Sequence, residues 1–395
     1  MKQHIFLASP HMSDEGYEQE FIKEAFDTNW IAPLGKNVTE FEKEMMKKLG
    51  AKAAVALSAG TAAIHMALKA VGVGEGDIVF CQSLTFSATA NPILYEKAVP
   101  VFIDSDEDSW NMDPALLEKA FEKYKKEGKC PKAVIVVHLY GLCAHIEEIA
   151  AICKKHNVPL IEDAAESLGT TYKGKYTGTF GNYGVISFNG NKIITTSGGG
   201  MLLVNTENAE ERAGKVLFWA TQAREKAPWY QHEEIGYNYR MSNIVAGIGR
   251  GQLKVLDRRI EQKRAIYQYY LENLGDLDGL SLMPQNKNGY SNCWLTAVQL
   301  EDNCGVTPMG IIEALQADDV ESRPIWKPLH LQPVFNGCDF ITHAEKLDTV
   351  DIETGADNSV AGMIFKRGMC LPSDSKMTEE DLERICKVVR TLWQG

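Results

Sequence analysis

Residues 187–200 read Ser-Phe-Asn-Gly-Asn-Lys-Ile-Ile-Thr-Thr-Ser-Gly-Gly-Gly, so one lysine lies in a turn of small polar residues shortly before three glycines. The apolar runs on either side, Gly184–Phe188 and Met201–Val204, are typical of β-strands. Glycines adopt unusual backbone dihedrals and let other groups approach the chain closely. Upstream, another apolar run ends in Asp163. We expect the fold to bring Lys192 and Asp163 to neighbouring strand ends.

A lysine in such a turn, one structural unit after a strand-end acid, is what pyridoxal phosphate chemistry requires. The lysine would form a Schiff base with the cofactor aldehyde, and the acid would pair with the pyridine nitrogen. Each residue alone has a simpler explanation, because most lysines are solvated and a strand-end aspartate often caps a helix. Lys192 and Asp163 are therefore candidate catalytic residues whose assignment needs support from the rest of the chain.

Strand-like and helix-like runs alternate from residue 53 onward, which favours an α/β fold with a mostly parallel sheet between helices. Further strands are predicted at Ala53–Leu57, Ile78–Cys81, Val99–Ile103, Ala133–His138 and Leu160–Asp163. Further helices are predicted near Glu15–Phe26, Asp113–Lys126, Ile146–His156 and Ala209–Gln222, with others opening at Gly60 and Thr85. Right-handed crossovers place the carboxyl ends of such strands at one edge, where ligands bind.

A long helix predicted over Ile244–Leu274 leads into a smaller C-terminal α/β domain. That domain contains a strand near Cys293–Leu300 and helices near Pro308–Gln316 and Glu379–Leu392. We predict a large domain over residues 1–255, including an N-terminal arm, and a small domain over residues 256–395.

Two features near the predicted strand ends suggest a ligand site. Gly60 and Thr61 open a helix directly after a strand, so their backbone N–H groups could bind an anion, although simple helix capping explains them equally well. Phe86 follows the next strand and could stack on a planar ring or pack in the core. Acids at 162, 163 and 166 could bind a metal, but no histidine or cysteine has ligand spacing, so we predict no metal site.

The bulk composition excludes several classes of protein. With 41 basic and 53 acidic residues, the net charge is −12, which argues against a broad nucleic-acid surface. No apolar run is long enough to span a bilayer, and residues 1–6 lack the apolar stretch of a signal peptide. The nine cysteines are scattered without a C-x-x-C pair. We expect reduced thiols in a cytoplasmic protein without membrane association.

Nearly the whole chain resembles the DegT/StrS-type sugar aminotransferases. The matching motifs are residues 29–35, 58–63, 162–166, 187–192, 236–243 and 323–330. The resemblance implies a fold-type I, aspartate-aminotransferase-like enzyme that uses pyridoxal 5′-phosphate and acts on nucleotide-linked keto sugars. The run at 187–201 is most similar to members that aminate UDP-4-keto-6-deoxy-N-acetylglucosamine for bacillosamine-type glycans.

The resemblance also implies roles for individual residues. Lys192 would carry the Schiff base and move protons, Asp163 would pair with the pyridine nitrogen, and Phe86 would stack on the ring. The phosphate would be held by Gly60, Thr61 and Ser187. Glu166 would lie beside the phenolic oxygen, where many relatives have glutamine or histidine. Asn238 would reach the phosphate in the neighbouring subunit, which implies a homodimer with shared active sites.

The resemblance also implies a set of residues that line the sugar–nucleotide pocket. They are Asn29, Trp30, Ile31, Ala32, Arg323, Leu329, His330, Leu331 and Gln332. Among these, Arg323 and His330 would supply positive charge for the diphosphate.

The expected reaction moves the amino group of L-glutamate to the C4 ketone of a UDP-2-acetamido-2,6-dideoxy-4-keto-hexose. The alternatives are the same reaction on GDP-4-keto-6-deoxymannose, a dTDP-keto sugar or a 3-keto sugar, and a non-catalytic sensor that retains the cofactor. Dehydratases of the family have histidine where this chain has Lys192. A dehydrogenase is the weakest alternative, because no G-x-G-x-x-G leads into a helix.

Overall fold

The computed structural model describes residues 3–394 of the chain. Over this range the α-helices are α1 (Tyr17–Asp27), α2 (Lys36–Leu49), α3 (Gly60–Ala70), α4 (Asn91–Tyr95), α5 (Pro114–Lys126), α6 (Ile146–Lys155), α7 (Ala209–Ala220), α8 (Asn243–Leu253), α9 (Leu256–Leu274), α10 (Pro308–Ala317), α11 (Val360–Arg367) and α12 (Glu379–Thr391).

The β-strands of the same range form three sheets. They are β1 (Ala53–Leu57), β2 (Ile78–Gln82), β3 (Val99–Ile103), β4 (Ala133–Val137), β5 (Leu160–Asp163), β6 (Thr171–Tyr172), β7 (Lys175–Tyr176), β8 (Tyr183–Ser187), β9 (Gly200–Val204), β10 (Leu280–Leu282), β11 (Gly289–Tyr290), β12 (Thr296–Leu300), β13 (Arg323–Pro324), β14 (Asp339–Ile341) and β15 (Gly368–Leu371).

The largest sheet has eight strands in the order β1-β9-β8-β5-β4-β2-β3-β14. All neighbours pair in parallel except β9, which runs antiparallel to both β1 and β8. Apolar side chains fill both faces, with Val79 and Ile135 on one side and Phe80 and Val134 on the other. Strands buried on both faces explain the continuous apolar runs of the sequence. The predicted α/β fold with a mostly parallel sheet between helices is confirmed.

The second sheet lies in the C-terminal part of the chain, with the order β10-β12-β15-β13. Its apolar residues share one core with α9, α10 and α12. At the start of α12, Thr378 and Asp381 exchange side-chain-to-backbone hydrogen bonds, which satisfy two of the free N–H groups of the first turn. This smaller α/β unit has the architecture expected for the C-terminal domain.

Three pairings cross the predicted domain boundary. Strand β14 joins β3 in the large sheet, and β11 pairs with β6 in a small three-stranded sheet. Near the N-terminus, Ile5 forms a parallel bridge with Val320. The domain boundary between residues 255 and 256 stays a prediction. Segments from one side of this boundary pair with strands or residues on the other side.

The structure corrects two of the predicted helices. The single helix expected over Ile244–Leu274 is two helices, α8 and α9, separated at Lys254 and Val255, and Val255 has ψ near 4°. Residues 249 and 251 are glycines, which have low helix propensity, and a Cβ at Gly251 would lie 2.5 Å from the backbone nitrogen of Glu18 in α1. The helix expected to open at Thr85 is a short 3₁₀ turn at Ser87–Thr89, followed by the five residues of α4.

None of the helices within residues 3–394 is both long and apolar enough to cross a membrane.

Candidate active site

A cavity of about 400 Å³ opens at the carboxyl ends of the large-sheet strands. Seven of the eight cofactor-binding residues predicted from the sequence line it, namely Gly60, Thr61, Phe86, Asp163, Glu166, Ser187 and Lys192. They come from the ends of β2, β5 and β8, the start of α3 and the turn after β8. The parallel order of these strands brings the groups together, as strand polarity requires.

Lys192 lies in the turn between β8 and β9, and its side chain is 13% exposed. The turn is closed by backbone hydrogen bonds from Lys192 N to Asn189 O, from Thr196 N to Phe188 O and from Phe188 N to Gly199 O. The amine Nζ lies 3.4 Å from Glu166 Oε1 and 4.1 Å from the centre of the Trp294 ring. The amine is thus directed into the cavity between a carboxylate and an aromatic face.

Asp163 ends strand β5 at the floor of the cavity and is buried. Its Oδ2 accepts a hydrogen bond from the Thr89 hydroxyl at 2.8 Å, and its Oδ1 accepts one from Ala165 N at 3.2 Å. Burial raises the pKa of this carboxyl, although the two hydrogen bonds and the charge of Lys192 oppose the shift. A buried carboxylate with so few donors is a suitable partner for a cationic group of a ligand.

Glu166 lies one turn after Asp163 and is also buried. Its Oε2 accepts a hydrogen bond from Tyr140 N at 2.7 Å, and its Oε1 faces Lys192. Burial raises the pKa of Glu166 to about 7, and the nearby ammonium of Lys192 works against this rise. The proton state of Glu166 therefore changes near neutral pH.

The start of α3 forms a cradle for an anion. Its N-cap, Ala59, has no side chain that can bond the free N–H groups of the first turn. A Cβ at Gly60 would lie 3.1 Å from Ser187 Cβ, and a Cβ at Gly200 would lie 2.5 Å from Gly60 N. The two glycines thus allow the helix start to approach β8 and β9, and they leave its backbone N–H groups available to a phosphate.

The cavity has an aromatic wall. Phe86, Trp294 and Trp326 line it, and Tyr140 packs against Trp294 and Trp326. The Phe86 and Trp326 rings are 5.6 Å apart, Tyr140 and Trp326 are 5.1 Å apart, and Trp294 and Trp326 are 6.2 Å apart. Phe86 is 58% exposed, so a planar ring can still reach its face.

Sequence reasoning missed Thr89, Tyr140, Trp294 and Trp326. Tyr140 is the third residue after β4, so strand polarity alone would have placed it at this edge. Trp294 lay within the predicted strand Cys293–Leu300, but nothing in the periodicity pointed it towards the large domain. Trp326 lies inside the motif at residues 323–330, from which Arg323, Leu329 and His330 were selected.

The remaining predicted cofactor residue, Asn238, lies outside this cavity. It is exposed and forms an antiparallel bridge with Thr221. Four predicted substrate residues, Asn29, Trp30, Ile31 and Ala32, form a loop anchored by Asn243. The amide of Asn243 donates to Trp30 O at 3.0 Å, and Asn243 N donates to Ala32 O at 2.8 Å. None of these residues lines the cavity of its own chain, and their contact with substrate stays a prediction.

The C-terminal substrate residues also lie outside the cavity lining. They are Arg323, Leu329, His330, Leu331 and Gln332. Arg323 is exposed and donates to Ser322 O, whereas Leu329 is buried. His330 is 2.6 Å from Ser83 Oγ and 3.0 Å from Asp357 Oδ2, and it stacks on Phe340 at 3.7 Å. Here too, contact with substrate stays a prediction.

Glu162 points away from the cavity, to a buried pocket of polar groups. It lies 3.0 Å from His138 Nε2 and accepts from Gly178 N at 2.8 Å and Gly181 N at 2.5 Å. The acids at 162 and 166 therefore do not converge. In residues 3–394, no group of three or more His, Cys, Asp or Glu side chains could hold a metal ion.

The cavity residues are compatible with pyridoxal phosphate. The glycine cradle at the start of α3 would hold the phosphate, Asp163 would take the pyridine nitrogen, and the exposed face of Phe86 would cover the ring. Lys192 provides the amine that such a cofactor requires.

Comparison with known proteins points to one family. Residues 13–390 match the DegT/DnrJ/EryC1/StrS aminotransferase family. EpsN of Bacillus subtilis (strain 168), named as a pyridoxal phosphate-dependent aminotransferase, is 54% identical over 393 residues, covering 100% of this chain and 97% of that protein. GDP-perosamine synthase of Caulobacter vibrioides is 35% identical over 382 residues, covering 96% of each chain.

Solved structures share the whole fold. The crystal structure of a DegT DnrJ EryC1 StrS aminotransferase from Brucella abortus superposes with a TM-score of 0.84 at 29% identity. The superposition covers 96% of both chains. The two proteins therefore share one fold over nearly their whole lengths.

Proposed function

Because the chain belongs to the DegT/DnrJ/EryC1/StrS aminotransferase family, we propose that it aminates C4 of a UDP-2-acetamido-2,6-dideoxy-4-keto-hexose with L-glutamate as the donor. Its cofactor is pyridoxal phosphate. When bound, that cofactor supplies an aldehyde that carries the amino group and a ring that withdraws electrons from the reacting carbon. The proposal is supported above all by one observation: the amine of Lys192 and the carboxylate of Asp163 share a cavity with an anion cradle.

Lys192 would move the proton in both half-reactions. In the first, it would take a proton from the α-carbon of glutamate, and in the second it would deliver one to C4 of the sugar. The amine can do so because its turn is fixed by three backbone hydrogen bonds while the side chain reaches into the cavity. Glu166, at 3.4 Å, is placed to accept a proton from the Lys192 ammonium and return it.

Asp163 would keep the pyridine nitrogen protonated, because an ionised carboxylate stabilises a neighbouring cation. Thr89 and Ala165 N hold the carboxylate oxygens in place for this contact. The aromatic wall excludes water from one side of the reacting centre. A drier cavity strengthens the electrostatic interactions between Asp163, Lys192 and a bound substrate.

The proposal also names the sugar, for which there are two candidates. The UDP-linked N-acetyl sugar is supported by the motif at residues 187–201. A GDP-linked 4-keto-6-deoxymannose is the second candidate, and it is favoured by the full-length similarity to GDP-perosamine synthase. With the first sugar, the reaction would belong to bacterial glycan synthesis of the bacillosamine type. With the second, it would belong to perosamine-type synthesis.

We propose a homodimer in which each cavity is completed by the neighbouring subunit. In this proposal, Asn238 contributes to the phosphate site of the partner cavity, which agrees with its exposed position outside its own cavity. The exposed Trp229, Tyr230 and Ile235, on the same segment, would be covered in that interface. The nine unpaired cysteines are compatible with the reducing cytoplasm, which is where we place the reaction.

The decisive experiment supplies the loaded protein with glutamate and a panel of UDP-, GDP- and dTDP-linked keto sugars. Aminated products are identified by mass spectrometry, and their C4 configuration by NMR. We expect UDP-4-amino sugar and 2-oxoglutarate in equal amounts, and no product from Lys192→Ala. A GDP-4-amino product would select the second candidate. If glutamate does not change the cofactor absorbance and no sugar is aminated, the chain is a sensor and the proposal fails.

A further inference from the structure

The segment Ser291–Trp294 leads from the active site into β12 of the second sheet, and buried hydrogen bonds hold it in place. Ser291 Oγ donates to Gly141 O at 2.9 Å. The side-chain Nδ2 of Asn292 donates to Glu166 O at 2.9 Å and to Leu168 O at 3.0 Å. These contacts attach the segment to the backbone of the turn that carries Glu166, so the two cannot move independently.

The orientation of the Trp294 indole is fixed at both ends. Cys293 has a φ of 48°, a conformation that residues with side chains rarely adopt, and it turns the chain so that Trp294 enters the cavity wall. Trp294 N donates to Asn292 Oδ1 at 2.9 Å, and the indole Nε1 donates to Asn191 O at 2.8 Å. Trp294 is 1% exposed. The indole is therefore more than a core side chain, because its nitrogen reaches the turn that carries Lys192.

The indole face lies against the amine of Lys192. The distance from Nζ to the ring centre is 4.1 Å, well inside the range of a cation–π contact. Glu166 Oε1 lies at 3.4 Å from the same amine. The ring face and an ionised carboxylate both attract an ammonium far more than a neutral amine.

We propose that Trp294 is a positioning residue that holds the amine of Lys192, between its ring and Glu166, in every state in which that amine is both free of the cofactor and protonated. The part of this inference that concerns turnover rests on the proposed function, since a transaminase lysine must be released and recaptured in every cycle. The contact itself belongs to the chain without cofactor. It can therefore be tested separately from any sugar chemistry.

The test uses the apoprotein with tryptophan replaced biosynthetically by 5-fluoro- or 5,7-difluorotryptophan. Fluorine withdraws electron density from the ring face while nearly preserving its shape, so it weakens a cation–π contact and leaves packing almost unchanged. The apoprotein is labelled briefly with acetic anhydride, which reacts only with neutral amines, and acetylation of Lys192 is quantified by peptide mass spectrometry. We expect acetylation to rise stepwise with fluorination, by about two- to tenfold in total.

Two variants provide the controls. In Trp294→Phe, which cannot carry the fluorinated indole at this position, acetylation of Lys192 should not depend on fluorination. In Trp326→Phe, which changes the same cavity 6.2 Å from Trp294, the stepwise rise should persist. The exposed Lys346 serves as an internal reference for reagent dose.

Equal acetylation of Lys192 across the fluorination series would overturn the proposal, and so would the same stepwise rise in Trp294→Phe. The series in the unmutated sequence needs no variant to fold. A failure to aminate any nucleotide sugar would instead count against the proposed function, and it would leave the labelling result unaffected.

Discussion

At the scale of single residues, Asp163 and Glu166 show how burial and nearby donors govern two carboxyl groups three positions apart. Asp163 is bonded by a hydroxyl and a backbone N–H, whereas Glu166 is bonded by one backbone N–H and faces an amine. Neither arrangement stabilises a buried negative charge fully, so burial raises the pKa of both. Asp163 is therefore suited to bind a cation, and Glu166 is suited to bind a proton.

Glu166 should make the stability of the apoprotein depend on pH. Its pKa rises from 4.5 to about 7 on folding, so between these values the folded chain binds more protons than the unfolded chain. The free energy of unfolding should fall as pH rises through this window, at a cost of roughly 3 kcal/mol above pH 7. In Glu166→Gln this cost is absent, so the variant should gain stability over the native chain from pH 5 to pH 7.5.

Urea midpoints of the two apoproteins at pH 5 and pH 7.5 measure this gain. The expected difference between variant and native chain is larger at the higher pH. An equal difference at both pH values would show that Glu166 is ionised throughout, and it would remove the proton-accepting role given to it here.

Asp163→Asn should separate cofactor binding from folding. Asparagine keeps the shape and can still accept from Thr89, so the free energy of unfolding of the apoprotein should change by less than about 1 kcal/mol. Without the charge, the dissociation constant for pyridoxal phosphate should rise by about tenfold or more. Absorbance titration with the cofactor and urea denaturation of the apoprotein measure the two effects, and unchanged cofactor affinity would contradict the role of Asp163.

At the scale of elements, the three glycines after Lys192 are not equivalent. Gly200 begins β9 between Leu57 of β1 and Ser187 of β8, directly beneath the start of α3. A Cβ there would lie 2.5 Å from Gly60 N, whereas a Cβ at Gly198 would meet nothing within 4 Å. Only the last glycine is required by the close approach of the helix to the sheet.

Gly200→Ala should therefore displace the start of α3 and widen the phosphate cradle. We expect a loss of about 1–3 kcal/mol in the free energy of unfolding and weaker cofactor binding. Gly198→Ala is the matched control, and its apoprotein should be as stable as the native chain. Thermal or urea unfolding of both variants tests this, and equal destabilisation would mean that the cradle geometry plays no part.

The sequence predicted best those strands that are buried on both faces. Strands such as β4 and β5 lie between helices on both faces, so their apolar runs were recognisable without knowing the neighbours. Strand β14 has three residues and only one neighbouring strand, β3, so it left no such signal. The break between α8 and α9 comes three residues after Gly251, whose close approach to α1 is a tertiary contact that local propensity does not contain.

The candidate site was predictable to the extent that strand polarity decides it. Asp163, which ends a strand, and Phe86, which follows one, both line the cavity, as strand polarity predicts, while their roles stay predictions. Trp294 lies just before β12 of the second sheet, and it approaches Lys192 directly after the turn at Cys293. A positive φ at a non-glycine residue is set by long-range contacts, so sequence periodicity could not identify it.

At the scale of the whole molecule, the exposed Asn238 leads to a prediction about assembly. If each cavity takes Asn238 from the partner, then mixing inactive Lys192→Ala with inactive Asn238→Ala should restore activity. A mixed dimer would contain one cavity with both native residues and one with neither. If each cavity used only its own chain, every cavity in the mixture would lack one residue.

The measurement is the rate of amination after co-refolding the two variants at equal concentration, with each variant refolded alone as the control. We expect the mixture to recover about a quarter of the native rate, because random pairing gives half mixed dimers and each has one native cavity. No recovery in a mixture that chromatography shows to be dimeric would rule out the shared site.

The position of β14 also bears on how this gene could be divided. Residues 339–341 form the outer strand of the large sheet, although the strands before and after them in the chain, β13 and β15, belong to the second sheet. A polypeptide ending at residue 255 would leave β3 with an unpaired edge open to self-association. Two halves of the chain, divided at residue 255 and expressed separately, should instead associate through the pairing of β14 with β3. The chain is therefore a suitable starting point for a split-protein reporter.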